Sequence, residues 1–325
     1  MLRKCTSKYL FKRYHCSSLL SFYRKSIKSG LSIILLWTMI LSAASAQNEV
    51  TKIESQYLPE SKAEFIEKYL NKSQPVLFKG IAKTWKSSDW DLDFFAQKFY
   101  DVDVLIQTDE NLSESGYGSV DTEYSQKTLK QYIDDIYKNG IKAGYLSQFD
   151  ILDVHPGLQN ALNFPRYYDS KYLERINLWI GPKGTQSKLH YDSDQNLFVQ
   201  IYGKKIVTLI SPDQSKKCYP VNITWYGGYS PIDVFEPDFT KYPLFANVKM
   251  SRYELEAGDM IYIPKWWWHD IRSTEHSISA SLWWISWEDF IKELVAQFKY
   301  EYIDGNAFES KNSYISTFKK NLGLK

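Results

Sequence analysis

The pattern of hydrophobic and polar positions divides the chain into a helical first part and a strand-rich second part. Between residues 61 and 140, apolar residues recur at helical spacing in Ala63–Leu70, Leu92–Phe99 and Leu129–Ile136. From about residue 175, short runs of β-branched and aromatic residues are separated by Gly, Pro and Asp. Many short strands joined by tight turns are typical of a sandwich or a small barrel. The pattern therefore predicts one mainly β domain with flanking helices.

The predicted strands share a high content of Val, Ile, Leu, Trp and Tyr. They cover Gln74–Lys79, Ile176–Ile180, Leu197–Ile201, Lys205–Ile210, Tyr253–Leu255, Met260–Ile263 and Ile278–Trp284. After residue 286 the pattern becomes helical again, because a capping-box sequence begins at Ser286 and apolar residues such as Phe290 and Leu294 follow on one helix face. We expect residues 47–286 to form the β domain with its helical N-terminal flank, and residues 287–325 to form a helical tail.

The first 46 residues differ from the rest in charge and hydropathy. They carry basic residues without any acidic one, and then an apolar run of 11 residues, Leu31–Leu41, precedes an A-x-A sequence at Ala44–Ala46. This order is typical of a signal peptide, and the run is shorter than the ~20 residues of a membrane-spanning helix. An uncleaved signal anchor, a transit peptide and a buried helix stay open. The prediction is a signal peptide or anchor (residues 1–46), a secretory or extracytoplasmic location, and weak membrane attachment through the leader.

The distribution of charge argues against nucleic acid as a partner. The chain has 40 basic and 38 acidic residues, but eight of the basic ones lie in the leader, which leaves 32 basic against 38 acidic. A mildly acidic body is not the electrostatic footprint of a general nucleic-acid binder. Of three cysteines only Cys218 lies outside the leader, which excludes an internal disulfide and a CxxC zinc site there.

A histidine-based metal site must use the four histidines outside the leader. His190 and Asp192 lie two residues apart, so on a strand their side chains project from the same face, ~7 Å apart along the chain. His269 follows another strand-like segment. Two histidines and one carboxylate on one side of a metal form the arrangement of non-haem Fe(II) oxygenases. His155 and His276 are interpreted as structural.

Several motifs beside this triplet carry a family resemblance. They are Gln74–Gly80 with Trp85 and Trp90, His190–Asp192, Asn196–Gly203, Ser230–Phe245, Gly258–His269, and Ser277–Ser281 before Trp283. With these motifs the chain resembles, from about residue 65 to residue 284, the cupin-like branch of the JmjC hydroxylases, and most closely the factor-inhibiting-HIF type. The resemblance implies a double-stranded β-helix (a cupin or jelly-roll barrel) with flanking N-terminal and C-terminal helices, and Fe(II) and 2-oxoglutarate as cofactors.

Carried over position by position, the resemblance implies that His190, Asp192 and His269 are the iron ligands and the catalytic residues. Lys205 matches the lysine that pairs with the distal carboxylate of 2-oxoglutarate. A charge-assisted hydrogen bond of this kind suits a dianionic cosubstrate. Lys204 is adjacent and would face the other way on a strand, so only one of the two lysines can point inward.

Three further positions match cosubstrate contacts of the family. Ser187 falls where a threonine hydroxyl contacts the same distal carboxylate, and Asn196 and Tyr145 match weaker contacts. Ser281 stands where the family has an asparagine in the closing strand, and it would leave one polar contact shorter or bridged by water. The cosubstrate-binding set that the resemblance implies is therefore Lys205, Ser187, Asn196 and Tyr145.

The function that the resemblance implies is hydroxylation of a side chain of a protein or peptide, with a small molecule as the second choice of substrate. It also leans towards a homodimer, for which the tail helix offers an apolar face. Two alternatives stay open: a catalytically silent cupin-like binding protein outside the cytoplasm, and a metal-dependent cupin enzyme that does not use 2-oxoglutarate. The complete triplet argues against the first, and an inward Lys205 argues against the second.

Overall fold

The structure is a computed structural model that describes residues 48–108, 123–150, 155–168, 174–224 and 227–285, with positions 289, 291 and 295. The predicted signal peptide or anchor lies outside the described residues, as does almost all of the predicted tail helix. The domain boundaries, the weak membrane attachment and the homodimer therefore stay predictions. No helix in the described part is long and apolar enough to cross a membrane.

Helices occupy the first part of the described chain, as the periodicity predicts. They are α1 (Lys62–Phe65), which continues as a π-helical turn (Ile66–Leu70), α2 (Leu92–Lys98) and α3 (Leu129–Asn139). Short 3-10 helices lie at Ile81–Thr84, Lys86–Asp89, Gly140–Ala143, Pro156–Ala161, Pro212–Cys218 and Pro243–Asn247. A capping box begins α3, because the hydroxyl of Thr128 accepts from the backbone N–H of Gln131, whose side chain accepts from the N–H of Thr128.

The first of two seven-stranded sheets carries the HxD sequence. Its strands are β1 (Glu49–Lys52), β8 (Gln186–Asp192), β10 (Lys205–Ile210), β11 (Val221–Thr224), β12 (Gly227–Tyr229), β13 (Lys249–Leu255) and β15 (Trp268–Ser273). They lie in the order β1-β13-β10-β15-β8-β12-β11. Strand β1 runs parallel to β13, whereas β13, β10, β15 and β8 pair antiparallel with one another in that order.

The second seven-stranded sheet faces the first. Its strands are β2 (Ser55–Gln56), β3 (Val76–Phe78), β6 (Leu146–Phe149), β7 (Glu174–Gly181), β9 (Gln195–Tyr202), β14 (Met260–Ile263) and β16 (Ser277–Trp284). They lie in the order β2-β3-β14-β9-β16-β7-β6. A separate pair, β4 (Asp103–Gln107) with β5 (Tyr124–Thr128), lies in the part of the chain that periodicity indicates as mainly helical.

The two sheets form an open jelly roll rather than a closed barrel. Consecutive strands pass between the sheets, since β8, β10, β13 and β15 belong to one and β7, β9, β14 and β16 to the other. Each sheet ends in an edge strand, so the ladder of hydrogen bonds does not close on itself. The mainly β cupin fold is confirmed, and a closed β-barrel is wrong for this chain.

Three hydrophobic clusters hold these layers together. The largest packs one face of the second sheet against the helices, with Phe65 and Tyr132 fully buried. Another fills the space between the sheets, and the third lies between the outer face of the first sheet and the segment 211–248. Both faces of the second sheet are therefore buried, which explains why β9 and β16 are buried along almost their whole length instead of alternating.

Candidate metal centre and cosubstrate cleft

The pairing of β8 with β15 brings the two predicted histidine ligands face to face. His269 is the direct partner of His190, whereas Ile271, two residues further on, pairs with Ser187, three residues back. Strand β8 therefore contains one residue more than β15 between these pairs, which is the signature of a β-bulge. The extra residue lets Ser187 and His190 line the same cleft although an odd spacing separates them.

The three predicted ligands meet at the inner face of the first sheet. The Nε2 atoms of His269 and His190 lie 3.5 Å and 3.8 Å from Oδ2 of Asp192, and the two imidazole rings are 4.1 Å apart. One ligand atom from each residue falls within 4.8 Å of the others. Both histidines are buried, while the Asp192 side chain is partly exposed. The three groups can therefore bind one metal ion from one side.

Backbone carbonyls fix the orientation of both imidazoles. Nδ1 of His190 lies 2.6 Å from the carbonyl oxygen of Lys188, and Nδ1 of His269 lies 2.9 Å from that of Trp267. A carbonyl can only accept, so in the neutral form of each ring Nδ1 carries the proton and Nε2 keeps its lone pair for a metal. Metal-binding histidines usually donate the N–H of their other ring nitrogen to a carbonyl or a carboxylate in this way.

Burial and neighbouring charges set the protonation of the triplet. Burial, and then the nearby His269, lower the pKa of His190 to about 4, so His190 is neutral at physiological pH. Burial alone would raise the pKa of Asp192, but attraction to His190 when that ring is protonated, the hydrogen bond and charge of His269, and the charge of Arg175 lower it to about 2. Burial lowers the pKa of His269, yet its hydrogen bond and attraction to Asp192 outweigh this and raise it. A neutral imidazole and an ionised carboxylate are the forms that bind a metal.

Lys205 is buried without an acidic partner. Only 1% of its surface is exposed, and its Nζ donates to the Tyr145 hydroxyl over 3.1 Å. Nζ also lies 5.5 Å from the ring centre of Phe198, and in the described part of the chain no carboxylate pairs with it. Burial lowers its pKa to about 7. A buried ammonium without a counter-ion is costly, so this position suits the carboxylate of a ligand.

Lys204 gives the contrast that strand geometry predicts. It is half-exposed, and its Nζ lies 3.4 Å from Glu256 and 3.9 Å from Glu254. Glu256 and Glu254 raise its pKa. Of the two adjacent lysines, only Lys205 points inward.

The other predicted cosubstrate residues lie in the same cleft as the metal ligands, because Tyr145, Ser187 and Asn196 all line it. Oδ1 of Asn196 and Nε1 of Trp283 are buried there without a partner among the described residues. Buried polar atoms are normally satisfied, so these two are suited to a ligand. Together with Lys205, the residues present fit Fe(II) and 2-oxoglutarate.

Some cleft residues have no signal in the sequence pattern. Gln148, Trp179, Phe198 and Ile271 also line the cleft. The alternation of β7 could have indicated Trp179, but Gln148 faces the cleft through a left-handed backbone (φ 49°), which no local sequence signal predicts.

Ser281, the departure from the family asparagine, also lines the cleft. Its hydroxyl accepts a 3.0 Å hydrogen bond from Nε1 of Trp179. The serine therefore orients an aromatic wall of the cleft.

Comparison with known proteins agrees with this geometry. A family profile described as "Cupin-like domain" matches residues 61–290. The chain is 31% identical over 250 residues to "Lysine-specific demethylase 8" of Danio rerio, covering 73% of this chain and 58% of that protein. It is 30% identical over 236 residues to "Jumonji C domain-containing protein 5" of Drosophila melanogaster, covering 68% of this chain and 57% of that protein.

A more distant similarity is to "tRNA wybutosine-synthesizing protein 5" of Homo sapiens, 25% identical over 242 residues, with 69% of this chain and 75% of that protein covered. The chain spans little more than half the length of the two JmjC relatives.

The relatives contradict the predicted secretory or extracytoplasmic location. Their names describe lysine demethylases and tRNA-modifying proteins, which are enzymes of nuclear or cytoplasmic substrates rather than of the secretory pathway. The prediction rested only on the order of charge and hydropathy in the leader, and a basic apolar stretch does not by itself specify export. Since the matched region extends over 230 of 325 residues, the chain belongs to the cupin-like JmjC domain family of Fe(II)- and 2-oxoglutarate-dependent dioxygenases.

Proposed function

We propose that this chain uses Fe(II) and 2-oxoglutarate to hydroxylate a side chain of a protein or peptide substrate. The observation on which the proposal rests is that two features lie around the same cleft. One is the one-sided ligand set of His190, Asp192 and His269. The other is the buried ammonium of Lys205, which lacks a carboxylate partner in the described part of the chain.

Each group of residues has a separate task in this proposal. His190, Asp192 and His269 hold the metal on one side and leave the other side to ligands. Lys205 and the hydroxyls of Tyr145 and Ser187 hold the distal carboxylate of the keto acid. When bound, the metal and the keto acid together supply the oxidising chemistry, with dioxygen as oxidant and succinate and carbon dioxide as the products of the keto acid. The protein contributes position and the exclusion of water.

Aromatic side chains exclude water from the cleft. Trp179, Phe198 and Trp283 line the cleft and are each at most 6% exposed. Phe198 also lies beside the Lys205 ammonium, at 5.5 Å. An aromatic lining that excludes water strengthens the hydrogen bonds that hold an anionic ligand, because the local dielectric constant is low.

A polypeptide is the first choice of substrate and a small molecule the second. The JmjC relatives that are named as demethylases act on lysine, a side chain of proteins. Nucleic acid is a poorer choice despite the tRNA-modifying relative, because the body of the chain beyond the leader has more acidic than basic residues. A silent binding protein would not need the orienting bonds at both imidazoles, and an enzyme without 2-oxoglutarate would not need an unpaired buried lysine.

Anaerobic visible absorbance tests the cofactor part of the proposal. The full-length chain is titrated first with Fe(II) and then with 2-oxoglutarate, because a keto acid chelated to Fe(II) gives a charge-transfer band without any substrate. We expect a saturable band in the wild type and none in His190→Ala. Lys205→Ala should bind Fe(II) but require far more 2-oxoglutarate, while Lys204→Ala, the matched outward lysine, should behave like the wild type.

The possible results separate the alternatives. Iron binding without a band on addition of 2-oxoglutarate would favour a metal-dependent enzyme of another kind. A chain that binds neither would be a binding protein. A band that is equally sensitive to Lys204→Ala and Lys205→Ala would remove the assigned role of Lys205.

A further inference from the structure

Arg175 lies at the rim of the metal cleft and stacks on one of its walls. Strand β7 pairs with β16 so that Arg175 is the direct partner of Trp283, and the guanidinium carbon lies 4.7 Å from the Trp283 ring centre. Arg175 is also four residues before Trp179, which lines the cleft from the same strand. Residues at even spacing on a strand share a face, so Arg175 lies on the cleft side of the second sheet.

The charge of Arg175 is not neutralised by a neighbouring acidic side chain in the described part of the chain. Over the described residues, no carboxylate comes within ion-pair distance of its guanidinium, whose aromatic contact is with the buried ring of Trp283. Stacked arginine retains its in-plane N–H donors for a further partner.

The net charge of the loaded site indicates which kind of group Arg175 attracts. A bound Fe(II) ion and the two carboxylates of 2-oxoglutarate cancel, and so do the charges of Asp192 and a protonated Lys205. What is left is the positive guanidinium of Arg175 at the rim. A substrate that approaches the loaded cleft therefore meets a net cation, stacked and held in place.

From this arrangement we propose that Arg175 selects the substrate, by pairing with an acidic side chain that flanks the hydroxylated residue of a peptide. The inference rests on the proposed function and deepens it. Arginine and a carboxylate form a bidentate pair with two parallel hydrogen bonds, and stacking on Trp283 fixes the plane in which that pair forms. The same cation opposes a cationic target side chain, so the preferred substrate differs in charge from the lysine on which the demethylase relatives act by name.

A peptide fits these observations better than an RNA phosphate. Outside the leader the chain carries 32 basic and 38 acidic residues, whereas binding to an RNA backbone depends on many basic contacts. One cation at a cleft rim matches one carboxylate beside a target residue. Binding of RNA is therefore measured in the test as the alternative to binding of a peptide.

Binding of charged peptide pools tests the inference without relying on turnover. The full-length chain is loaded with Mn(II) and N-oxalylglycine, a 2-oxoglutarate analogue that is not decarboxylated. Fluorescence anisotropy then compares labelled random peptides that have Glu, Gln or Lys fixed on both sides of the central residue, and a random oligoribonucleotide. The variants are Arg175→Glu and Arg175→Gln. Arg166→Glu is the matched control, since Arg166 is exposed and lines a different cavity.

We expect the wild type to bind the Glu pool about ten-fold more tightly than the Lys pool, the order of one desolvated charge pair. Arg175→Gln should abolish this preference and Arg175→Glu should invert it, while Arg166→Glu should leave it unchanged. Binding of the analogue itself should stay within about two-fold in all of these variants, since the 2-oxoglutarate contacts assigned above do not include Arg175.

Other outcomes overturn the inference in distinguishable ways. Equal affinities for the Glu and Lys pools, including no measurable binding to either, remove the assigned role of Arg175 while the analogue still binds and the proposed function stands. Binding of the oligoribonucleotide that depends on Arg175, without a preference among peptides, replaces the peptide by RNA. A wild type that does not bind the analogue fails the proposed function, and with it the inference.

Discussion

Charged side chains lie on both faces of the first sheet, but their surroundings differ between the two faces. On the outer face lies a group that we term the outer cluster, which consists of Gln186, Asp233, Arg252, Asp270 and Arg272. Here Arg272 donates to both carboxylate oxygens of Asp233 at 3.0–3.1 Å and to Oε1 of Gln186 at 3.1 Å. Gln186 in turn donates to Asp270 over 2.6 Å. The cluster contains two cations and two acids.

The outer cluster also fixes the segment that covers it. The guanidinium carbons of Arg252 and Arg272 each lie 4.1 Å from the ring centre of Phe235, so the ring sits against two cations. Asp233 and Phe235 belong to the run Ser230–Phe245, which the family resemblance includes. This side of the sheet uses its charges to hold one piece of chain on another.

On the inner face, the buried ammonium of Lys205 has no carboxylate partner among the described residues. Lys205 has an aromatic and hydroxyl environment, and the metal-binding triplet has one carboxylate for two histidines. A charge that is paired within the protein serves the fold, whereas a fully buried cation with no internal counterpart indicates an anionic ligand. This criterion separates residues that the sequence alone presents as equivalent.

The largest expected effect comes from removing one charge on each face. Lys205→Met should weaken 2-oxoglutarate binding on the order of 100-fold, the effect of losing one partner of a buried charge pair. It should also raise the free energy of unfolding by about 1 kcal/mol, because an uncompensated buried charge disappears. Arg272→Met should leave 2-oxoglutarate binding unchanged and lower the free energy of unfolding by about 1 kcal/mol, because a partly exposed pair and its stacking on Phe235 are lost.

Calorimetric titration of 2-oxoglutarate and chemical denaturation of the ligand-free chain measure the two quantities on the same samples. A Lys205→Met chain that is as destabilised as Arg272→Met would mean that Lys205 is structural. The difference between the two faces would then not distinguish a ligand-binding charge from a structural one.

Much of the second sheet could be predicted from the sequence, because its strands are continuous apolar runs. Met260–Ile263 has the same limits in the prediction and in the structure, and Leu197–Ile201 lies within β9. In the first sheet β10 is predicted with its observed limits, Lys205–Ile210, but β8 and β15 are harder to recognise, since their inner face carries the polar site. Only the HxD spacing indicated that His190 lies on a strand, and β15 mixes His, Asp and Arg with apolar residues.

The cosubstrate part of the cleft depends on features that periodicity does not contain. Ser187 and His190 share a cleft only because of the bulge in β8, which a regular strand would not allow. Which of Lys204 and Lys205 points inward is a question of register, and one residue of slip would exchange them. Their assignment came from the family resemblance. Arg175 was missed because its relation to the cleft arises from pairing with Trp283, which lies more than a hundred positions away.

A smaller effect follows from titration of the inner lysine. Burial lowers the pKa of Lys205 to about 7, and a bound carboxylate stabilises the ammonium and raises that pKa again. Ligand binding therefore takes up a proton above pH 7, and affinity for 2-oxoglutarate should fall by up to about ten-fold per pH unit as the pH rises from 7. The ligand-free chain shows the opposite sign. Because the folded pKa lies below the ordinary value of 10.5, the folded state binds fewer protons between these limits, so the contribution of Lys205 to stability increases with pH.

Titrations between pH 7 and 9 at saturating Mn(II) measure this dependence. Lys204→Met serves as the control, because that outward lysine has a raised pKa and should leave the profile unchanged. An affinity that is flat over this interval in the wild type would mean that Lys205 does not change its protonation on binding.

The smallest expected effect concerns the shape of the inner face. Gly181 lies against the Tyr145 ring so closely that an added Cβ would come within 2.6 Å of Cδ2 of Tyr145 and 2.9 Å of Oγ1 of Thr185. Gly181→Ala should therefore displace the ring and its hydroxyl, which lies 3.1 Å from Nζ of Lys205. We expect about five-fold weaker binding of 2-oxoglutarate, the order of one hydrogen bond, with Fe(II) binding intact. Gly157→Ala is the matched control, because a Cβ there meets no atom within 4 Å. If both variants bind 2-oxoglutarate like the wild type, Tyr145 only fills space beside Lys205, and the ammonium must hold the carboxylate without its help.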